Sequence, residues 1–151
     1  ACRYPMQGTR GYGPRRSTNY GRLGNDKYLP QANTETFVVG QIESRNLVEN
    51  IDELVAIDGL DGVVIGPYDL SGSYELPGNI DHPTVVEAMQ ISIDKCREAG
   101  IYVGVGMGSS AATAKRWHAA GAHWAMVGAD YQYMVQFADN LYSKIRSPES
   151  P

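Results

Sequence analysis

Several features are scarce in this chain, and each scarcity excludes something. Only two of 151 residues are cysteine, Cys2 and Cys96, which excludes a disulfide framework or a cysteine-rich zinc site and suits a reducing, cytoplasmic setting. Long apolar runs are missing: Gly, Asp or Pro breaks each one, as in Gly62–Pro67 and Tyr102–Gly108. No stretch approaches the roughly 20 residues of a membrane-spanning helix, so no membrane association is expected. Lysine occurs only at Lys27, Lys95, Lys115 and Lys144, in loop or helix segments, which argues against a Schiff-base lysine on a strand. The three histidines, His82, His118 and His123, have no metal-ligand spacing and read as structural. Neither a G-x-S-x-G elbow nor a P-loop is present. The first residue is Ala1 rather than Met, and ACRYPMQGTRGYGPRR has no apolar signal core. A processed chain or a piece of a longer one is therefore expected.

What is present fits one globular domain: 16.5 kDa, 42% apolar and 20% charged residues, close to the soluble average. The net charge of −4 is uneven. Residues 1–30 carry Arg3, Arg10, Arg15, Arg16, Arg22 and Lys27 against Asp26 alone, so the remainder is acidic. Tyr4, Tyr12, Tyr20 and Tyr28 interleave with those arginines, a pattern that can serve phosphate contacts and stacking. The acidic remainder and a pI near 5.3 weigh against nucleic acid. An anionic metabolite or a subunit contact suits the arginines equally well.

From residue 1 to 31 apolar periodicity is absent, and glycines and prolines interrupt every candidate element, which predicts a long loop or connection. Residues 36–151 then alternate β-branched runs with amphipathic segments. Strands are expected at 36–42, 62–66, 101–105 and 124–128. Leu47, Val48, Ile51, Leu54 and Val55 recur at helical spacing, as do Val85, Val86, Met89, Ile93 and Cys96. Pro83 suits a first helical turn, Gly100 and Gly121 sit where helices stop, and Ser109 or Ser110 can cap a third helix. A last helix is expected from Tyr133 to Ile145, with Met134, Phe137, Ala138, Leu141 and Ile145 as its apolar set. Four strand–helix units in series imply an α/β fold with a parallel sheet, either a small open sheet or half of a (β/α)8 barrel.

Ligand sites in such folds form at the carboxyl ends of the strands, here at Glu43, Asp69, the 106–110 turn and Asp130. Glu43 and Asp69 follow neighbouring strands, and Gln41, two residues before Glu43, shares its face. Two carboxylates so placed suit a hard cation acting as a Lewis acid toward a carbonyl oxygen and stabilising an enolate beside it. Gly106-Met107-Gly108-Ser109-Ser110-Ala111 fits G-x-G-x-x-A, with Asp130 about 20 residues on, and so admits a dinucleotide-binding reading. Only one strand remains after Ala111, however, whereas a dinucleotide fold opens with this unit.

The runs RYPMQGTRGYGPRR, QIES, DGLDGVVIGPYDLSGS, GNIDHP and WAMVGAD together resemble the HpcH/HpaI aldolase family over essentially the whole chain. The resemblance implies the C-terminal half, strands five to eight, of a TIM-type (β/α)8 barrel of the phosphoenolpyruvate/pyruvate-binding type. It implies a class II aldolase that forms or cleaves 4-hydroxy-2-oxo acids from pyruvate and an aldehyde through a metal-stabilised enolate, with Mg²⁺, Mn²⁺ or Co²⁺ as cofactor. Glu43 and Asp69 match the family's metal ligands, and Gln41 a polar residue near the keto acid. The backbone at Tyr68, Asp69 and Leu70 matches the segment that cradles the pyruvate carboxylate. Arg10 and Gly11 match the GxRG of the loop before the fifth strand. A homo-oligomer, a hexamer in the family, is also implied.

The departures are equally specific. The family's acid/base histidine and its pyruvate-gripping arginine have no matching position. YPMQG stands for the usual YPPxG, and Tyr68 occupies a place often held by a small residue. A half-barrel leaves two sheet edges and an apolar inner face uncovered. The expectation is that a missing half or another chain completes it, the alternative being a non-catalytic fragment or subunit.

Overall fold

The computed structural model describes residues 1–108 and 110–146. It divides into two compact units, Ala1–Val38 and the chain from Val39 onward. In the first, the phenols of the buried Tyr4 and Tyr28 meet at 3.1 Å, and the Arg10 guanidinium lies 4.6 Å above the Tyr4 ring, within cation–π range. Helix α1, Asn25–Glu35, contains Pro30 and corrects the expected loop over residues 1–31. Tertiary bonds outweigh its poor propensity. The Tyr4 amide donates to Asn33 Oδ1 at 2.8 Å, and the Arg3 guanidinium donates to the Asn33 carbonyl. Tyr28 supplies the helix's buried face.

The second unit holds a four-stranded parallel sheet in the order β1–β2–β3–β4. The strands are β1 Val39–Ile42, β2 Gly62–Ile65, β3 Tyr102–Met107 and β4 Trp124–Val127. Ile42 pairs with Ile65, Ile65 with Val105, and Val105 with Ala125. The order equals the chain order, as it does when each crossover is a right-handed β–α–β unit. β1 begins at Val39, three residues later than expected. The helical stretch after it splits into α2, Arg45–Glu49, and α3, Ile51–Val55. Asn50 breaks it, with non-helical dihedrals and a side-chain amide that donates to the Asn46 carbonyl at 2.9 Å, the backbone competition typical of asparagine.

One sheet face is covered over β1, β2 and β3, whereas Val127 of β4 on the same face is 42% exposed. Ile42, Val63, Ile65, Val103 and Val105 are all 0% exposed. They pack with Val85, Met89, Ile93 and Cys96 of α5, Pro83–Glu98, and with Trp117 of α6, Ala111–Ala119. Burial pushes the Cys96 thiol up to about 11. The opposite face carries Val39, Tyr102 and Met126, at 42%, 55% and 56% exposure. On that face the Trp124 indole lies directly on Gly104, leaving no room for a Cβ there. Ser110 is the expected cap, its Oγ accepting from the Thr113 amide at 3.2 Å at the start of α6, and His82 Nδ1 caps α5 by accepting from the Thr84 amide at 3.3 Å. Ser109 lies outside the described residues. The last helix, α7, runs from Asp130 to Arg146, three residues earlier than expected, and buries none of its side chains. Its apolar set of Met134, Phe137, Leu141 and Ile145 is exposed. Among the described residues no helix is long and apolar enough to cross a membrane.

Candidate active site

Two strand ends converge chemically. Gln41 and Glu43 project from the same face at the end of β1, and Gln41 Nε2 donates to Glu43 Oε2 at 2.7 Å. The Gly66 amide donates to the Ile42 carbonyl at 2.9 Å, carrying the β1–β2 ladder one step past β2. At Gly66 a Cβ would stand 3.1 Å from Gln41 Nε2 and 3.5 Å from Glu43 Cβ. The Gln41–Glu43 pair therefore leans over Gly66, and a side chain at 66 would push it away.

Gly66 is also where helix α4 begins. This helix, Pro67–Ser73, lies where the sequence pattern predicts none. Pro67 takes its first position, where the missing N–H costs nothing. Asp69 lies in the first turn and Leu70 is fully buried. The Leu70 amide donates to the Gly66 carbonyl at 3.0 Å and so is used within the helix. Tyr68 and Asp69 hold the second and third positions, whose amides have no partner within an α-helix. Of the three residues expected to present amides to a carboxylate, these two are suited to it.

A cavity of about 350 Å³ opens at the carboxyl ends of β2, β3 and β4, lined in part by Gly66, Tyr68, Asp69, Gly106, Gly108 and Tyr131. Glu43 is not among the residues that line it, although it neighbours Gly66, which does. Tyr68 stands exposed at its wall, and Tyr131 and Gln132 of α7 line it too. These two carried no sequence signal, because a tyrosine and a glutamine opening an amphipathic helix look like surface residues.

The donor set fits a hard divalent cation: the chain offers carboxylate oxygens at the ends of adjacent strands, with one of them held by a side-chain amide. Among the described residues no three His, Cys, Asp or Glu side chains gather around one point. The remaining coordination would fall to water, to substrate oxygens or to other parts of the protein. The histidines sit apart in local roles. His82 caps α5, His118 Nδ1 lies 3.3 Å from the Ala122 carbonyl, and His123 Nδ1 accepts from the Val103 amide at 3.0 Å.

The Gly106–Ala111 motif begins in the last two residues of β3, its Ala111 opens α6, and Gly106 and Gly108 line the same cavity as Asp69. Asp130 accepts from the adjacent Tyr131 amide at 2.7 Å and so is engaged at its own helix start. One strand, β4, follows the motif.

Comparison with known proteins bears on the family and the fold. The family model described as HpcH/HpaI aldolase/citrate lyase matches residues 1–136. A 2-keto-3-deoxy-L-rhamnonate aldolase of Klebsiella pneumoniae is 38% identical over 149 residues, covering 97% of this chain and 55% of that protein. The crystal structure of an HpcH/HpaI aldolase/citrate lyase family protein from Burkholderia cenocepacia superposes with a TM-score of 0.85 at 28% identity, covering 97% of this chain and 58% of that one. An HpcH/HpaI aldolase from Desulfitobacterium hafniense gives a TM-score of 0.81 at 26% identity, over 99% and 58%. The chain thus spans little more than half the length of the relatives it matches. With a family match over most of its residues and the same parallel α/β fold, this chain belongs to the HpcH/HpaI aldolase/citrate lyase family.

Proposed function

We propose that this chain is the C-terminal half of a (β/α)8 barrel and that the whole protein is a divalent-metal-dependent aldolase. Its reaction joins pyruvate to an aldehyde, or cleaves the resulting 4-hydroxy-2-oxo acid. A 2-keto-3-deoxy sugar acid, the class in the name of the Klebsiella relative, belongs to that set. The observation that carries the reading is the placement of Glu43 and Asp69 just past neighbouring strands, with the Gln41–Glu43 pair packed on the glycine that starts the Asp69 helix.

Glu43 and Asp69 would hold Mg²⁺, Mn²⁺ or Co²⁺. When bound, such an ion supplies Lewis acidity toward a keto oxygen. Gln41 fixes one carboxylate of the pair, and the amides of Tyr68 and Asp69 receive the substrate carboxylate. The engaged histidines of this chain are not assigned the proton transfer, which the proposal gives to the other half of the barrel. The same reading expects a homo-oligomer. The open inner face of the sheet and the unburied α7 support completion of the fold by further protein. They also favour the second reading, in which this chain alone is a binding but non-catalytic part.

Exchange of pyruvate methyl protons into D₂O tests the proposal. The whole protein should show metal-dependent exchange that chelation abolishes, and Glu43→Ala or Asp69→Ala should lower it by at least about 100-fold, on the scale of lost transition-state charge stabilisation. Exchange that survives both substitutions would refute the assignment. An intact native mass near 16.5 kDa would refute a single longer chain and leave completion by another chain or the non-catalytic reading.

A further inference from the structure

We propose that Ser73 is a positioning residue: its hydroxyl ties the segment carrying Glu43 to the helix carrying Asp69 and so fixes the spacing of the two carboxylates. The inference rests on the metal reading above and adds to it a residue outside the ligand set.

The β1–β2 ladder aligns the two segments as far as the bond from the Gly66 amide to the Ile42 carbonyl. Past that bond both segments leave the sheet. Glu43 lies in the turn toward α2, and Asp69 in the first turn of α4. Ser73 joins them again across 28 positions of sequence. Its Oγ accepts from the Arg45 amide, two residues after Glu43, at 2.8 Å, and donates to the Leu70 carbonyl, one residue after Asp69, at 2.7 Å.

Helix α4 needs such a tie. Seven residues with a proline, a glycine and two serines make a poor helix by propensity, and one this short is marginal without tertiary support. A second hydroxyl anchors its other side: Ser71 Oγ donates to the Tyr68 carbonyl at 2.6 Å and accepts from the Gly78 amide at 3.0 Å. Ser71 therefore sets the helix against the loop that follows it, whereas Ser73 sets it against the Glu43 segment. Oxygen ligands must lie within about 2.0–2.6 Å of one ion, so loss of the Ser73 tie acts on cation affinity.

The same loss should act weakly on stability. Arg45 and Ser73 are both exposed, so water can replace the bond, and a hydrogen bond exchanged with water contributes little net. A purely structural serine would show the reverse pattern.

The test is the Mn²⁺ dissociation constant of the whole protein by titration calorimetry, with melting temperature as the second readout. Ser73→Ala should weaken Mn²⁺ binding by about tenfold, the lower end for partners that orient metal ligands, with little change in melting. Ser73→Thr, which keeps the hydroxyl, should restore affinity. Arg45→Pro removes the donor from the other side. Arg45 is the first residue of α2 and Ser44 is extended, at φ −140° and ψ 149°, so proline fits there. Arg45→Pro should match Ser73→Ala, and the double variant should be no weaker than either single one. It also tests the same bond if Ser73→Ala does not fold. Wild-type Mn²⁺ affinity in Ser73→Ala, with Glu43→Ala and Asp69→Ala impaired, would overturn the tie and leave the metal reading standing. Equal Mn²⁺ binding by wild type, Glu43→Ala and Asp69→Ala would overturn the metal reading and the tie with it.

Discussion

The two faces of the sheet differ as a finished surface differs from an unfinished one. On the helix side, Ile42, Val63, Ile65, Val103 and Val105 are wholly buried by helices encoded in this same stretch of chain. On the other side, Val39, Tyr102 and Met126 stand open, although they too are apolar. Local sequence therefore specifies a strand without specifying what covers it. A strand–helix repeat carries its own cover for one face only, and the second face depends on partners outside the repeat.

Substitutions on the two faces can break or sharpen this contrast. Ile65→Ala on the covered face should cost about 3 kcal/mol, as large-to-small changes in a packed core do; the urea midpoint of unfolding measures it. Gly104→Ala tests a tightly packed spot on the open face. A methyl there meets the Trp124 indole and should cost about 2 kcal/mol by overpacking, with a shift in tryptophan emission. A smaller, pH-dependent effect belongs to Cys96 beneath the covered face. Its ordinary value of 9.0 rises to about 11 in the fold. Below about 9 both states keep the proton, and between these values only the unfolded thiol releases it, so stability falls as pH rises through that window. The fall should be shallower in Cys96→Ala. The smallest effect is expected for Met126→Ala in the 151-residue chain, within about 0.5 kcal/mol for an exposed site. A loss near that of Ile65→Ala would show that the open face is buried in solution and would end the contrast.

The same division explains what could be read from the sequence. The four strands and α5 were legible because burial on the helix side imposes its period directly on residues such as Val63, Val103, Met89 and Ile93. The positions of Glu43 and Asp69 just past β1 and β2 were legible because the strands before them were. Helix α1 was hidden by Pro30 and the surrounding glycines, and is held through its Asn33 by Tyr4 from far along the chain. Helix α4 was hidden by Gly72 and two serines whose bonds appear only in three dimensions. The closeness of Gly66 to the Gln41–Glu43 pair follows from the register of β1 on β2, which no local pattern reveals. For α7 the periodicity was right about the helix and silent about its burial.

The two cysteines give the molecule its own gauge of integrity. Cys2 is exposed and Cys96 buried, so a thiol reagent in brief contact with the native protein should mark one position and spare the other. The second mark records each opening of the layer between α5 and the sheet. Counted over time by mass, it would report how often that layer comes apart, with no residue replaced.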